Sequence, residues 1–111
     1  MALNPLDSTM RTRNRYIVFK AESEKTLDKK DVGGAITDTT LRFVGELGVS
    51  RMSPYLVEWN YEKQAGILKV THNTLDEAKA VLALVKEANN KPVVLHSVKV
   101  SGILKKAKAL V

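Results

Sequence analysis

Hydrophobic and polar positions recur along this chain with two different periods, and the switches between them mark out its elements. Residues 14–21, Asn-Arg-Tyr-Ile-Val-Phe-Lys-Ala, are rich in β-branched and aromatic side chains and predict a first strand. Tyr16 and Val18 fall on one face, Ile17 and Phe19 on the other, as in a strand lying inside a sheet. A helix then opens at Asp28, an N-cap residue, with Asp31 placed to interact with the helix dipole. Val32, Ile36, Phe43 and Leu47 repeat at helical spacing, and Ala35 and Val44 widen the stripe. Gly48 stands where a C-cap glycine would. Gly33, Gly34 and Gly45 each weaken such a helix by about 1 kcal/mol relative to alanine. Close packing against the sheet or a partner is the reading adopted for them, with a break in the helix as the alternative.

Period two returns at 55–60, Tyr-Leu-Val-Glu-Trp-Asn, after Pro54, and again at 66–72, Gly-Ile-Leu-Lys-Val-Thr-His. The short connector 61–65 makes these two strands an antiparallel hairpin. Thr74 and Glu77 form a Thr-x-x-Glu capping box ahead of Leu75, Ala78, Leu82 and Val85, which predict a second helix closed by Asn89-Asn90. Val93 to Val100 supplies the last strand, and a Ser-Gly break leads into the lysine-rich tail Ile103-Leu104-Lys105-Lys106-Ala107-Lys108. The order is strand, helix, strand, strand, helix, strand. It predicts an α+β, ferredoxin-like (βαββαβ) fold: a four-stranded antiparallel sheet, two helices on one face, and a short basic C-terminal helix. Residues 1–12 are expected to be a flexible basic N-terminal arm and 13–111 a single ferredoxin-like domain.

Charge adds a second layer to this plan. The chain has 111 residues, a net charge of +6 and no cysteine, so disulfides and thiolate metal sites are excluded. Residues 1–21 carry Arg11, Arg13, Arg15 and Lys20 against Asp7, and residues 99–111 carry Lys99, Lys105, Lys106 and Lys108 with no acid. The segment between is nearly neutral, so the excess lies at the two ends. In the ferredoxin-like layout the first and last strands are antiparallel neighbours. The arginines ahead of one would then converge on the lysines after the other, and the composite patch would suit a polyanion, foremost RNA. The N-terminus lacks a signal-peptide pattern and no apolar run is long enough to span a bilayer, so a cytoplasmic location is expected.

Catalytic signatures are missing. His72 and His96 are the only histidines and have no ligand-spaced partner; no nucleophile elbow, phosphate loop or dinucleotide fingerprint occurs. No metal or cofactor is expected on the protein. The third strand lacks the aromatic pattern of RNA-recognition domains. Tyr16, Tyr55 and Trp59 are available, but Trp59 at a strand end fits core or interface better than base stacking, so phosphate contacts are the expected mode. The sheet face opposite the helices is expected to be free for a protein.

Five segments taken in order resemble a known family. They are Arg15-Tyr16-Ile17-Val18-Phe19, Gly33-Gly34-Ala35-Ile36, Gly66-Ile67-Leu68-Lys69-Val70, Ala80-Val81-Leu82-Ala83-Leu84-Val85, and the tail from Val98 to Ala107. Their order and spacing resemble the protein component 2 family of archaeal ribonuclease P, which is related to a small subunit of the eukaryotic enzyme. The family often has threonine where this chain has Ile103. The resemblance implies a subunit of a ribonucleoprotein that removes 5′ leaders from precursor tRNA. The RNA would carry Mg2+ and perform the hydrolysis, with protein component 3 and a second copy of the chain as partners in a heterotetramer. The RNA-binding residues would be Arg11, Arg13, Arg15, Lys99, Ser101, Lys105, Lys106 and Lys108. Protein interfaces are expected at Val32 and Ile36 of the first helix, at Val49 and Met52 in a loop running from Val49 to Ser53, and at Trp59. Two alternatives stay open on the residues alone: another RNA-binding accessory or ribosomal-type protein of this fold, and a small-molecule-binding regulatory module.

Overall fold

Burial of apolar faces on the two sides of one sheet organises the chain, for which a computed structural model describes residues 13–111. Arg11 and the expected N-terminal arm lie outside the described residues. The elements are β1 (Asn14–Glu22), α1 (Lys29–Met52), β2 (Tyr55–Asn60), β3 (Ala65–Thr71), α2 (Leu75–Leu84), the short strands β4 (Glu87–Ala88) and β5 (Lys91–Pro92), β6 (Val94–Ser101) and α3 (Leu104–Lys108). The four long strands are ordered β2-β3-β1-β6, and the pairings β2/β3, β3/β1 and β1/β6 are antiparallel. This is the predicted ferredoxin-like arrangement. Ile17 and Phe19 of β1, Leu68 and Val70 of β3, Leu56 of β2 and Leu95 of β6 bury against α1 and α2 through Val32, Ile36, Ala78, Val81 and Leu82. On the opposite face Val18 and Ile67 form a smaller cluster.

Two hydrogen-bonded fixtures hold the hairpin end of the sheet. Gly66 lies where a Cβ would come within 2.8 Å of the Trp59 ring and 2.9 Å of the Glu58 carbonyl oxygen, so its bare α-carbon lets Trp59 lie across β3. Trp59 then donates Nε1–H to the Leu27 carbonyl at 2.9 Å and packs beside Phe19. Gln64, at φ 50°, grips the same loop from the hairpin: its Oε1 accepts the Leu27 N–H at 2.9 Å and its Nε2 donates to the Leu27 carbonyl at 3.1 Å.

The helices depart from the sequence reading in instructive ways. Asp28 does open α1, and its N–H reaches Asp31 Oδ2 at 3.5 Å. Gly45, however, sits at φ 71°, ψ −178° and breaks α1 into two segments. Close packing is therefore not what Gly45 provides. Beyond it the helix runs on to Met52, so Gly48 is no cap. A Cβ there would collide with the Val44 side chain, and the αL cap is Ser53, at φ 46°. Phe43 and Leu47, on either side of the break, do not lie in the buried stripe as predicted; they are exposed, as is Leu41.

At α2 the Thr74 hydroxyl is engaged with Thr71, donating to its carbonyl at 3.0 Å, so the expected capping box does not form. A single 3-10 turn, His72–Thr74, leads into the helix instead. The helix closes at Leu84, ahead of Asn89-Asn90. Those asparagines have φ of 51° and 63° and form the two-residue turn between β4 and β5, a conformation their short polar side chains tolerate.

Candidate nucleic-acid interface

Register brings the two basic ends together. Tyr16 pairs with Ser101, Ile17 with Val100 and Val18 with Lys99, so the start of β1 lies beside the end of β6. One extra residue, Val98, bulges from β6 between the partners of Val18 and Phe19. Arg15 closes the junction: its Nη1 donates to the Asn14 carbonyl at 3.0 Å and lies 3.5 Å from where a Gly102 Cβ would stand. Ser101 Oγ accepts the Ile103 N–H at 3.1 Å and donates to the Ile103 carbonyl at 3.0 Å, a local turn that sets the direction of the tail.

The tail then folds back over the sheet. Ala107 is fully buried against Val18 and Ile67, with Leu104 and Val111 packed alongside. That spacing is an apolar helical stripe, and it leaves Lys105, Lys106 and Lys108 exposed on the outer side. The face expected to be free for a protein is thus partly roofed by α3. Pairing of Val18 with Lys99 and of Lys20 with His96 puts both lysines on this same face. Arg13 is exposed and Arg15 half-buried. Among the described residues the ion pairs are Arg51–Glu77, at 3.3 Å, and His96–Glu22, at 3.4 Å. Neither engages Arg13, Arg15, Lys99, Lys105, Lys106 or Lys108. Cations left outside ion pairs at such a junction are available to closely spaced phosphates.

The interface residues expected from the sequence fare differently. Val32, Ile36 and Met52 are 1–2% exposed and belong to the chain's own core, where a partner could not reach them. Trp59 is half-buried and committed to Leu27 and Phe19. Val49 is half-buried in the second segment of α1; the expected loop there is helix. Large apolar side chains are instead exposed at Leu41 (42%), Phe43 (52%) and Leu47 (83%), around the Gly45 break, and among others at Val94, Val98 and Ile103. Helical periodicity hid the exposure of Phe43 and Leu47 by counting them in one stripe with Val32 and Ile36, whereas the further buried positions are Thr39, Thr40, Gly48 and Met52. No group of three or more His, Cys, Asp or Glu suited to a metal ion occurs among the described residues, and none of the described helices is long and apolar enough to cross a membrane.

Fold and surface together define a class: a small ferredoxin-like protein that carries basic residues where the start of its first strand meets the end of its last. The model of the Rpp14/Pop5 family matches residues 15–111, and the chain belongs to that family. Ribonuclease P protein component 2 of Pyrococcus furiosus is 33% identical over 93% of this chain and 86% of the relative. That of Methanocaldococcus jannaschii is 35% identical over 96% of this chain and 78% of the relative, and that of Thermococcus kodakarensis 30% over 93% and 86%. A chain of yeast ribonuclease MRP, seen by cryo-electron microscopy, superposes with a TM-score of 0.69 at 12% identity. It covers 85% of this chain and 77% of that one, a likeness of fold.

Proposed function

We propose that this chain is a protein subunit of ribonuclease P that binds the catalytic RNA and supports 5′-leader removal from precursor tRNA. The observation that carries the reading is that the start of β1, with Arg15, lies beside the end of β6 and the lysines of α3, with Arg13, Arg15, Lys99, Lys105, Lys106 and Lys108 outside the ion pairs found among the described residues, in a chain whose curated relatives are named for that enzyme. The mechanism is electrostatic. Cations held by β1, β6 and α3 neutralise crowded phosphates, so the RNA folds compactly and holds its Mg2+ at lower ionic strength. The RNA performs the hydrolysis; the protein contributes no catalytic group. Protein component 3 is the proposed protein partner. Phe43 and Leu47, exposed on either side of the Gly45 break, are the proposed self-association surface, since large apolar side chains exposed in this way favour being covered. The cytoplasm is the proposed location.

The test is cleavage of a precursor tRNA by the cognate RNA at low Mg2+, comparing RNA alone, RNA with component 3, and RNA with component 3 plus this chain. Cleavage only in the last mixture is expected. Equal cleavage without this chain, while it still binds RNA, would move it to an accessory RNA-binding role.

A further inference from the structure

A second site lies on the same sheet face, beyond the end of α3. Cross-strand pairing places Tyr55, Lys69, Tyr16 and Ser101 in one row across β2, β3, β1 and β6. The seat of α3 on Val18 and Ile67 is the next row along. Tyr55 is left 58% exposed, with Lys69 Nζ 5.7 Å from its ring centroid. Beside it opens a cleft of about 630 Å3 between the end of α1 and the ends of β2 and β3. Arg51, Lys69, Asn14, Asn73 and Tyr55 are the reactive part of its wall, with serine and threonine hydroxyls between them and no carboxylate in the lining. Arg51 is steadied by Glu77 at 3.3 Å, and the Thr71 hydroxyl donates to the Arg51 carbonyl at 2.8 Å, which ties the wall to β3.

We infer that this cleft holds one unpaired nucleotide of an RNA strand, its base stacked on Tyr55. Every base has a π-face that an exposed aromatic ring can take. Lys69 lies over one face of the Tyr55 ring, so the base takes the other face and the lysine stays close enough to meet the adjoining phosphate. Carboxamides both donate and accept, so Asn14 and Asn73 can meet the edge of a splayed base. A duplex offers the cleft no base, because its bases are stacked within the helix. The protein therefore grips RNA in two ways: lysines and arginines at the β1/β6/α3 junction hold phosphates of any strand, and Tyr55 selects a single-stranded position. This inference rests on the RNA-binding reading above and adds the kind of nucleotide recognised. It also assigns stacking to a position where the sequence pattern argued against it.

The test is fluorescence anisotropy of the full chain with a labelled mixed-sequence RNA strand of about eight nucleotides, and with a duplex of the same length. Tyr55→Ala should weaken single-strand binding about tenfold, while Tyr55→Phe, which keeps the π-face, stays within about twofold. Duplex binding should be unaffected by either. Thermal melting of both variants verifies the fold, and unlabelled adenosine monophosphate serves as a free-nucleotide competitor. Equal single-strand affinity in wild type and Tyr55→Ala, with binding still lost on neutralising Lys105, Lys106 and Lys108, overturns the stacking site and leaves the phosphate surface standing. Tyr55-dependent binding of the free mononucleotide in preference to the strand overturns it as well. If neither strand nor duplex binds the wild type, the RNA-binding reading falls with it.

Discussion

Gly66 shows how much one residue can decide in this molecule. In sequence it reads only as the first position of a strand, a place where glycine lowers strand propensity. In the fold the space where its Cβ would stand is taken by the Trp59 ring, the Glu58 carbonyl and Phe19. Gly66→Ala must therefore displace Trp59 from β3 and stretch its bond to Leu27. Overpacking of this kind costs about 1–3 kcal/mol, so urea denaturation should show a lower midpoint with an unchanged slope. Unchanged stability would mean that Trp59 repacks freely. The sequence placed Trp59 correctly at the end of a strand, yet its partner Leu27 is in a different segment and its seat depends on a missing methyl group. Neither pattern nor propensity registers such a fit, because both score residues one at a time. Gln64 illustrates the same limit, since a polar residue in a hairpin turn gives no sign that it clamps a distant loop.

At the scale of elements, periodicity located every long strand to within a residue, because alternation is enforced by a two-sided sheet. Helix interiors were legible too, but helix ends and faces were not. Thr74 has the right chemistry for a cap and uses it on Thr71 instead. Asn89-Asn90 has the right chemistry for a helix terminator and serves as a hairpin turn. The larger divergence is at Gly45, where a positive φ interrupts α1, and the buried positions run through Val32, Ile36, Thr39 and Thr40 before it and Gly48 and Met52 after it. Phe43 and Leu47, which the predicted stripe would have buried, are exposed on either side of the break, as is Leu41. If these residues join two copies of the chain, Leu47→Asp should convert the dimer to monomer in sedimentation equilibrium. Its thermal stability at equal monomer concentration would fall only by the lost association, because Leu47 is 83% exposed in the isolated chain. A variant that remained dimeric would place self-association elsewhere on the molecule.

For the molecule as a whole, the cationic surface depends on placement more than on total charge. The sequence showed that both ends are basic, and the predicted strand order was enough to bring them together. It did not show that the tail crosses to the face opposite α1 and α2, because five residues of helix carry too short a pattern to specify which surface they cover. Ala107 is the hinge of that placement, being fully buried between α3 and the sheet. Ala107→Lys separates the two explanations of RNA affinity. It raises net charge by one, so a surface acting only through total charge would bind RNA more tightly and with a steeper salt dependence. A lysine cannot occupy the seat against Val18 and Ile67 without lifting α3, and the larger core on the opposite face does not depend on that contact. The expected result is a folded protein whose affinity for the ribonuclease P RNA falls. The slope of log affinity against log salt should become shallower by about two units as Lys105, Lys106 and Lys108 lose their fixed positions. Tighter binding with a steeper slope would show that the tail acts as a tethered charge, and that the seat of α3 contributes nothing to RNA recognition.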